Sequence, residues 1–310
     1  MHGIHHVTAI AGKPARNLEF CSRVLGLRFV KKTVNFDDPG TYHFYYGDET
    51  GRPGTILTFF PWEHAAAGRG GVGLAYTTAF RVPPSSLAYW THRLIEKGVE
   101  HEAPSRLFGE PMLSFADPDG TRMALVGTTA LEKEPIWSNG NIPPEHAIRG
   151  FHSVTLLLEA AAATGAVLTG ALGFKEAGRE GSTIRYRASH EAGGVVDVRE
   201  APGFLRGRMG RGSVHHVAFR AKDDAQQREM AAKLVRDHGL HPTDQKDRQY
   251  FRSIYFHEPG GILFEIATDE PGFTIDEPVA DLGKGLKLPA FLEPRRKELE
   301  AVLPELEPAS

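Results

Sequence analysis

The sequence predicts an α+β fold built from four consecutive βαβββ modules. Two observations indicate it: a strand–helix–strand order that repeats along the 310 residues, and helix-ending and turn motifs that recur at matching places. A chain of this length suits one large domain or two domains of about 150 residues. We place the modules at about 3–62, 71–128, 149–200 and 212–268.

The first and third modules share their helix boundaries. Module 1 begins with the strand HHVTAIAG and the helix KPARNLEFCSRVLGL, and the strand-like segments RFVKKTV, TYHFYYG and GTILTFF follow. Module 3 has RGFHSVTLLLE, the helix AAAATGAVLTGALGF, and then TIRYRAS and GGVVDVRE. His6 precedes Gly26 by 20 residues and Ser153 precedes Gly173 by 20. The Leu-Gly pair that ends each helix is typical of a glycine C-cap.

The second and fourth modules share a first strand and a turn. LAYTTAFRV and VHHVAFRA have AFR in common, and the turns DPDG and EPGG each separate two apolar strands. A stretch rich in Pro, Asn and Gly joins the two halves of the chain. We therefore expect a first domain over 1–128 (modules 1 and 2), a linker over 129–148 and a second domain over 149–268 (modules 3 and 4). The tail, 269–310, contains one amphipathic helix in EPRRKELEAVLPEL.

The composition excludes several classes of partner. The net charge of −3 gives no electrostatic footprint for nucleic acid, and no apolar run reaches the roughly 20 residues that span a bilayer. The N-terminal residues lack the pattern of a signal peptide. The single cysteine, Cys21, cannot form an internal disulfide. We therefore expect a cytoplasmic protein with no membrane and no nucleic-acid partner.

Two His-His doublets begin the first strands of modules 1 and 4. With 15 histidines in the chain two doublets are not rare, so their position carries the argument. His6 and His216 occupy the same place in their strands, where modules 2 and 3 have Thr77 and Ser153. Module 3 has a histidine, His152, one residue before Ser153, and a shift of one residue in a regular strand turns a side chain to the opposite face.

A carboxylate completes this pattern. Glu265 lies inside the apolar strand ILFEIAT, and a carboxylate is rarely buried unless it is paired or binds a metal. Modules 1 and 2 have Thr58 and Ala124 at this position, and Asp197 of module 3 aligns only with a gap. Two histidines and one carboxylate, His6, His216 and Glu265, suit Fe(II) with open coordination positions. Mn(II) accepts the same ligands.

With these modules and ligands the chain resembles the vicinal oxygen chelate (glyoxalase/bleomycin resistance/dioxygenase) superfamily, and within it the dioxygenases that cleave hydroquinone rings. The resemblance covers nearly the whole chain, including PAFLEPRRKELEAVLPELEP. It implies modules that pair into two open β-barrel halves, with iron ligands from modules 1 and 4. It also implies Fe(II)-dependent ring cleavage of a para-diol with O2, in a homo-oligomer.

The resemblance further implies a set of catalytic residues around the metal: His5, Thr8, His215, Arg248 and Tyr255. An arginine is a fixed cation suited to a phenolate, and a tyrosine hydroxyl can donate a hydrogen bond or accept a proton. Thr8 shares the face of His6, whereas strict alternation turns His5 and His215 away from the ligands. The candidate aromatic residues for the pocket wall, each of which suits the core equally well, are Phe251, Tyr250 and Phe264.

Three alternatives stay open. An extradiol catechol dioxygenase would use the same chemistry on an ortho-diol. A glyoxalase-like metal lyase usually needs a second glutamate, where this chain has Thr58, and a thiol transferase with a similar ligand set is typically half this length. A metal-free protein that sequesters an aromatic compound would not need Glu265.

Overall fold

The four modules form two curled sheets of eight strands each in the computed structural model, which describes residues 3–131, 134–190 and 192–306. The predicted α+β class with two half-barrels is confirmed. The first two residues of the predicted first domain, the last four of the tail and two in the linker lie outside the described residues.

The first sheet contains the strands of modules 1 and 4 in the order β14-β15-β16-β13-β1-β4-β3-β2. Its strands are β1 (Ile4–Ala11), β2 (Arg28–Asn35), β3 (Asp38–Gly47), β4 (Ile56–Pro61), β13 (Val214–Ala221), β14 (Lys246–Asp247), β15 (Phe251–His257) and β16 (Leu263–Pro271).

The second sheet contains the strands of modules 2 and 3 in the order β10-β11-β12-β9-β5-β8-β7-β6. Its strands are β5 (Leu74–Val82), β6 (Ser105–Leu107), β7 (Glu110–Ala116), β8 (Arg122–Gly127), β9 (Phe151–Leu158), β10 (Lys175–Glu180), β11 (Thr183–Arg187) and β12 (Val195–Glu200).

One helix follows the first strand of each module, and a fifth lies in the tail. The helices are α1 (Pro14–Glu19), α2 (Leu87–Glu96), α3 (Ala162–Gly170), α4 (Asp224–His238) and α5 (Arg296–Val302). A π-helical turn, Phe20–Val24, continues α1. The predicted glycine ends are confirmed, since Gly26 and Gly173 have φ angles of 71° and 76°, which favour glycine.

The pairing of modules differs from the expected division into modules 1 with 2 and 3 with 4. Strand β1 pairs antiparallel with β13, and β5 pairs antiparallel with β9. Modules 1 and 4 therefore share one sheet and modules 2 and 3 share the other. The physical reason is that the first strand of each module lies at an open edge, and each such edge is completed by a module from the other half of the chain.

One strand of module 3 has no apolar signature. Residues Lys175–Glu180 form β10 at the edge of the second sheet, where all six residues are at least partly exposed. The pattern of alternating apolar residues therefore did not reveal this strand.

The sheets pack around one large apolar core that contains residues of all four modules, among them Phe44, Phe80, Phe151, Phe219 and the buried Cys21. The same cluster includes Leu299 and Leu303, which attach the tail to module 1. Among the described residues, no helix is long and apolar enough to cross a membrane.

Candidate metal centre and active site

Three predicted ligands come together on the concave face of the first sheet. His6 Nε2 lies 3.3 Å from His216 Nε2, and Glu265 Oε2 lies 3.2 Å and 3.0 Å from these two nitrogens. All three residues are buried. Strands β1, β13 and β16 are neighbours in the sheet, so three adjacent strands supply one ligand each.

The environment keeps Glu265 and His216 in the protonation states that a metal needs. Burial alone would raise the pKa of Glu265, but the adjacent imidazoles of His6 and His216 hold it well below its ordinary value. Burial also lowers the pKa of His216, so this imidazole is neutral near pH 7. Neutral imidazoles and an ionised carboxylate are the forms that bind metal ions.

The trio fits a divalent metal ion. The Ser253 hydroxyl donates to Glu265 Oε1, while Oε2 has no hydrogen-bond partner among the described residues although it is fully buried. Ligand atoms about 3 Å apart are the neighbours expected around an ion bound at about 2.1 Å. Among the described residues, His6, His216 and Glu265 are the only three metal-binding side chains that lie close enough together to hold one ion. The donor set, two nitrogens and one carboxylate, matches divalent iron or manganese.

Two β-bulges explain why each doublet places both histidines near the site. In the β1/β13 ladder Ile4 pairs with Phe219 and His6 with Ala218, so His5 is the extra residue on β1. The converse bulge on β13 makes His215 the extra residue there. A bulge redirects a side chain that strict alternation would turn away. His5 and His215 therefore lie beside the ligands His6 and His216, where strict alternation alone would have turned them away.

The backbone fixes the tautomers around His6. The Thr268 carbonyl can only accept, so His5 Nε2, at 3.1 Å, carries the hydrogen of this bond. Burial, followed by the field of His6, lowers the pKa of His5, so its Nδ1 is an acceptor. His6 Nδ1, 2.9 Å away, is then the donor, and His6 Nε2 presents its lone pair to the centre. His5 therefore orients a ligand.

His215 plays the corresponding part for the other histidine ligand. Its Nδ1 lies 2.8 Å from His216 Nδ1, so a metal-binding His216 donates this hydrogen bond. Burial and the field of His216 lower the pKa of His215 to about 3. The neutral ring then carries its hydrogen on Nε2, and His215 lines the cavity beside the centre.

A cavity of about 290 Å³ opens in front of the trio. Arg248 and Tyr255 both line it, and Arg248 Nε donates to the Tyr255 hydroxyl at 3.1 Å. Arg248 Nη2 also donates to Asp37 at 2.7 Å, which fixes the guanidinium. Burial lowers the pKa of Arg248, but the contacts with Asp37 and Tyr255 more than reverse this and raise it. Burial, with the field of Glu265, raises the pKa of Tyr255, so both groups remain hydrogen-bond donors.

Aromatic rings form much of the cavity wall. Phe251 lies with its ring centre 4.9 Å from that of His6, and Phe36 and Phe60 line the same space. The other two predicted wall residues, Tyr250 and Phe264, are instead buried in the core. Thr8 is fully buried and accepts a hydrogen bond from Thr58 at 2.9 Å.

Sequence reasoning missed His43, a histidine on β3 that lines the cavity. Burial, followed by the fields of His6 and His216, lowers its pKa well below the ordinary value. The strand TYHFYYG was predicted, but His43 is a single histidine and no His-His doublet distinguished it from other strand residues.

The second sheet repeats the geometry without the ligands. Asp197 pairs with Thr155 as Glu265 pairs with Ala218, so the two acids occupy the same place in their ladders and the expected gap is absent. The Arg185 guanidinium holds Asp197 through two hydrogen bonds of 2.8 Å each. Here an arginine bonded directly to the carboxylate supplies the positive charge, whereas no arginine or lysine is bonded to Glu265 among the described residues.

A larger open cavity, of about 1000 Å³, lies on this second sheet, and its lining includes Thr77 at the position that corresponds to His6. Because the described part of the chain brings no three metal-binding side chains together there, the smaller cavity is the better candidate for metal chemistry.

Comparison with known proteins identifies the family of the chain. The family model of the glyoxalase/bleomycin resistance protein/dioxygenase superfamily matches residues 3–125 and 150–266. "Putative ring-cleaving dioxygenase MhqO" of Bacillus subtilis is 45% identical over 298 residues, covering 96% of this chain and 94% of that protein. The chlorohydroquinone/hydroquinone 1,2-dioxygenase of Sphingobium indicum is 35% identical over 311 residues, with 96% and 95% covered.

A solved structure agrees with the fold over almost the full length. It is described as that of a "putative dioxygenase" from Bacillus subtilis, with a TM-score of 0.93, 44% identity and coverage of 98% of this chain and 97% of that one. The repeated modules, the concave site and these matches lead to one conclusion: the chain belongs to the glyoxalase/bleomycin resistance protein/dioxygenase superfamily.

Proposed function

We propose that the protein is a non-haem Fe(II) dioxygenase that opens the ring of a hydroquinone-type substrate with O2. The observation that carries the proposal is the trio His6, His216 and Glu265 at the floor of a cavity that also presents Arg248 and Tyr255. The relatives named as ring-cleaving and hydroquinone dioxygenases support the choice of reaction.

The metal would be held by His6, His216 and Glu265. A bound Fe(II) would supply neighbouring positions for a substrate oxygen and O2, together with the electron transfer between them. In ring cleavage both oxygen atoms enter the product and a carbon–carbon bond beside the hydroxylated carbon breaks, so no external reductant is consumed.

The side chains around the cavity would bind and orient the substrate. Arg248 stabilises a phenolate oxygen, because its charge is permanent and Asp37 and Tyr255 fix its orientation. The Tyr255 hydroxyl faces the same space and donates to an oxygen atom of the bound reactants. Phe251 and Phe60 provide flat apolar surfaces for an aromatic ring and limit the access of water.

His215 would donate a hydrogen bond to the bound reactants. Its neutral ring carries a hydrogen on Nε2, directed away from His216. This N–H can donate a hydrogen bond to an oxygen that gains negative charge as the ring opens, and the ring stays neutral throughout. His5 would act by holding His6, and Thr8 by hydrogen bonding beside the ligands.

The glyoxalase alternative loses support at Thr58. This residue occupies the position in module 1 that corresponds to Glu265, and its hydroxyl is occupied with Thr8 and with His43. No second carboxylate is therefore provided from that strand.

Oxygen uptake by the iron-loaded protein tests the proposal. The purified protein is loaded anaerobically with Fe(II) and mixed with air-equilibrated hydroquinone, with catechol in a parallel cell. We expect iron-dependent uptake with hydroquinone that is lost in Glu265→Ala. Uptake with catechol alone would identify an extradiol enzyme, and absence of any bound metal would favour a sequestering protein.

A further inference from the structure

A strained turn connects β14 to β15 at the edge of the cavity. Gln249 has a φ angle of 66°, and the Tyr250 N–H donates to the Arg248 carbonyl oxygen at 2.8 Å. A three-residue turn with a positive φ at its centre is the rare and strained form of the γ-turn. A residue other than glycine keeps such a conformation only where the surrounding structure holds it.

Hydrogen bonds to two carboxylates hold Gln249 in this conformation. Its backbone N–H donates to Asp247 Oδ1 at 2.7 Å, and its side-chain Nε2 donates to Asp276 Oδ2 at 2.9 Å. The Tyr250 hydroxyl donates to the same Asp276 oxygen at 3.0 Å. Asp276 therefore binds both the central residue of the turn and the residue that follows it.

A buried lysine fixes the position of Asp276. Lys31 lies on β2 and is fully buried, and its Nζ donates to Asp276 Oδ1 at 2.5 Å. The same nitrogen donates to Glu277 and, at 3.2 Å, to the Phe273 carbonyl oxygen. Because the three donors of this amino group meet three acceptors, Asp276 is attached firmly to the first sheet.

A glycine would adopt the conformation of Gln249 without strain. In module 3 the corresponding turn, between β10 and β11, has Gly181 with a φ angle of 56°. Module 4 has a glutamine instead, whose Cβ adds strain and whose amide provides the bond to Asp276. The shape of the hairpin alone therefore does not explain the side chain of Gln249.

The turn begins at Arg248, which lies outside both strands and lines the cavity. Its bonds to Asp37 and Tyr255 hold the guanidinium, and the turn holds the backbone from which the side chain extends. We propose that Gln249 and Asp276 are positioning residues that hold the turn and thereby direct Arg248 at the substrate. This assignment rests on the proposed dioxygenase function.

Two substitutions at one position test this role. Gln249→Ala and Gln249→Gly both remove the amide, but only glycine adopts a positive φ without strain. With the Fe(II)-loaded protein and hydroquinone we expect Gln249→Ala to lower kcat/KM about tenfold and Gln249→Gly to lower it less than about threefold. The control is Gln245→Ala, which removes another glutamine amide that donates to a carboxylate, Asp224, at a residue without a positive φ. It should keep the wild-type kcat/KM.

A double variant shows whether Gln249 acts through Arg248. In an Arg248→Lys background Gln249→Ala should change kcat/KM less than about twofold, because the side chain that the turn directs has already been replaced. A further loss of about tenfold in that background would overturn the proposal. An unchanged kcat/KM in Gln249→Ala, or losses of equal size in Gln249→Ala and Gln249→Gly, would overturn it as well.

A second measurement does not depend on activity. The Arg248 Nε–H donates to Tyr255, and NMR of the metal-free protein measures how fast this hydrogen exchanges with solvent. We expect exchange to become about tenfold faster in Gln249→Ala and to stay near the wild-type rate in Gln249→Gly. Unchanged exchange in Gln249→Ala would overturn the positioning role. If the wild type oxidises no diol, the dioxygenase proposal fails, while the exchange rates still decide whether the turn positions Arg248.

Discussion

Neutralising Glu265 should abolish the stabilisation of the fold by a divalent metal. The change Glu265→Gln keeps the size of the side chain and removes the charge that lies 3.0–3.2 Å from both histidine nitrogens. A metal present at 100 times its Kd stabilises the native protein by about 2.7 kcal/mol. For a chain of 310 residues this corresponds to an increase in Tm of about 4 °C.

The loss of one ligand should exceed the 10–100-fold effect that the loss of an outer hydrogen bond has on metal affinity. A 100-fold weaker Kd at the same metal concentration leaves about 0.4 kcal/mol, which changes Tm by less than about 1 °C. Thermal unfolding with and without Mn(II), and with Fe(II) under anaerobic conditions, measures this difference.

The second sheet provides the matched control. Asp197→Asn makes the same change of charge at the corresponding ladder position, where the partner is Arg185. We expect it to lower the Tm of the metal-free protein, because a buried guanidinium loses a partner, and to keep the increase of about 4 °C on adding metal. A full metal-induced increase in Glu265→Gln, or its loss in Asp197→Asn, would refute the assignment of the site.

Three further changes probe the surroundings. His5→Phe removes the acceptor of the His6 Nδ1 hydrogen and should weaken Mn(II) binding 10–100-fold in calorimetric titration; unchanged affinity would contradict the orienting role. Arg248→Lys replaces a fixed planar cation and should lower kcat/KM for hydroquinone about tenfold, whereas wild-type kinetics would exclude a contact with the substrate. Burial alone would raise the pKa of Glu110, but hydrogen bonds to His152 and Arg185 lower it from the ordinary value of 4.5 to about 2 in the folded protein. The ionised carboxylate therefore stabilises the fold above pH 4.5, and this contribution is lost as the pH falls toward 2. Urea unfolding between pH 3 and pH 7 should show a smaller decrease on acidification for Glu110→Gln, and an equal decrease would contradict this.

The modules and the ligand types could be predicted because they depend on local order. Alternating apolar residues, Leu-Gly helix ends and Pro-Gly turns repeat within each module, and Glu265 stands out inside an apolar strand. A buried carboxylate needs a compensating charge wherever its strand is placed. His6, His216 and Glu265 were therefore recognisable before their distances were known.

The pairing of modules and the bulges depend on contacts that a single strand does not encode. His5 faces the site because β1 has one residue more than β13 between two ladder positions, and these strands are about 200 residues apart in sequence. The register of Asp197 is likewise set by its pairing with β9. His43 carries no local signature, because its place at the cavity and its hydrogen bonds to Tyr45 and Thr58 depend on how β3 and β4 pair.

The two sheets show how a buried carboxylate is compensated in two ways within one fold. Asp197 and Glu265 occupy corresponding ladder positions and are almost fully buried. Asp197 faces the guanidinium of Arg185, a cation that belongs to the chain and leaves no coordination position open. Glu265 faces the imidazoles of His6 and His216 instead, which offer lone pairs to a metal ion and carry no permanent positive charge. A divalent ion would supply that charge and would also bind ligands of its own. The exchange of Arg185 for a tyrosine, Tyr255, at the corresponding position of β15 removes the built-in cation from the first sheet. Tyr255 also places a hydroxyl at the edge of the cavity. The same position of the fold therefore leaves Glu265 without a bonded arginine and provides a polar group for a substrate.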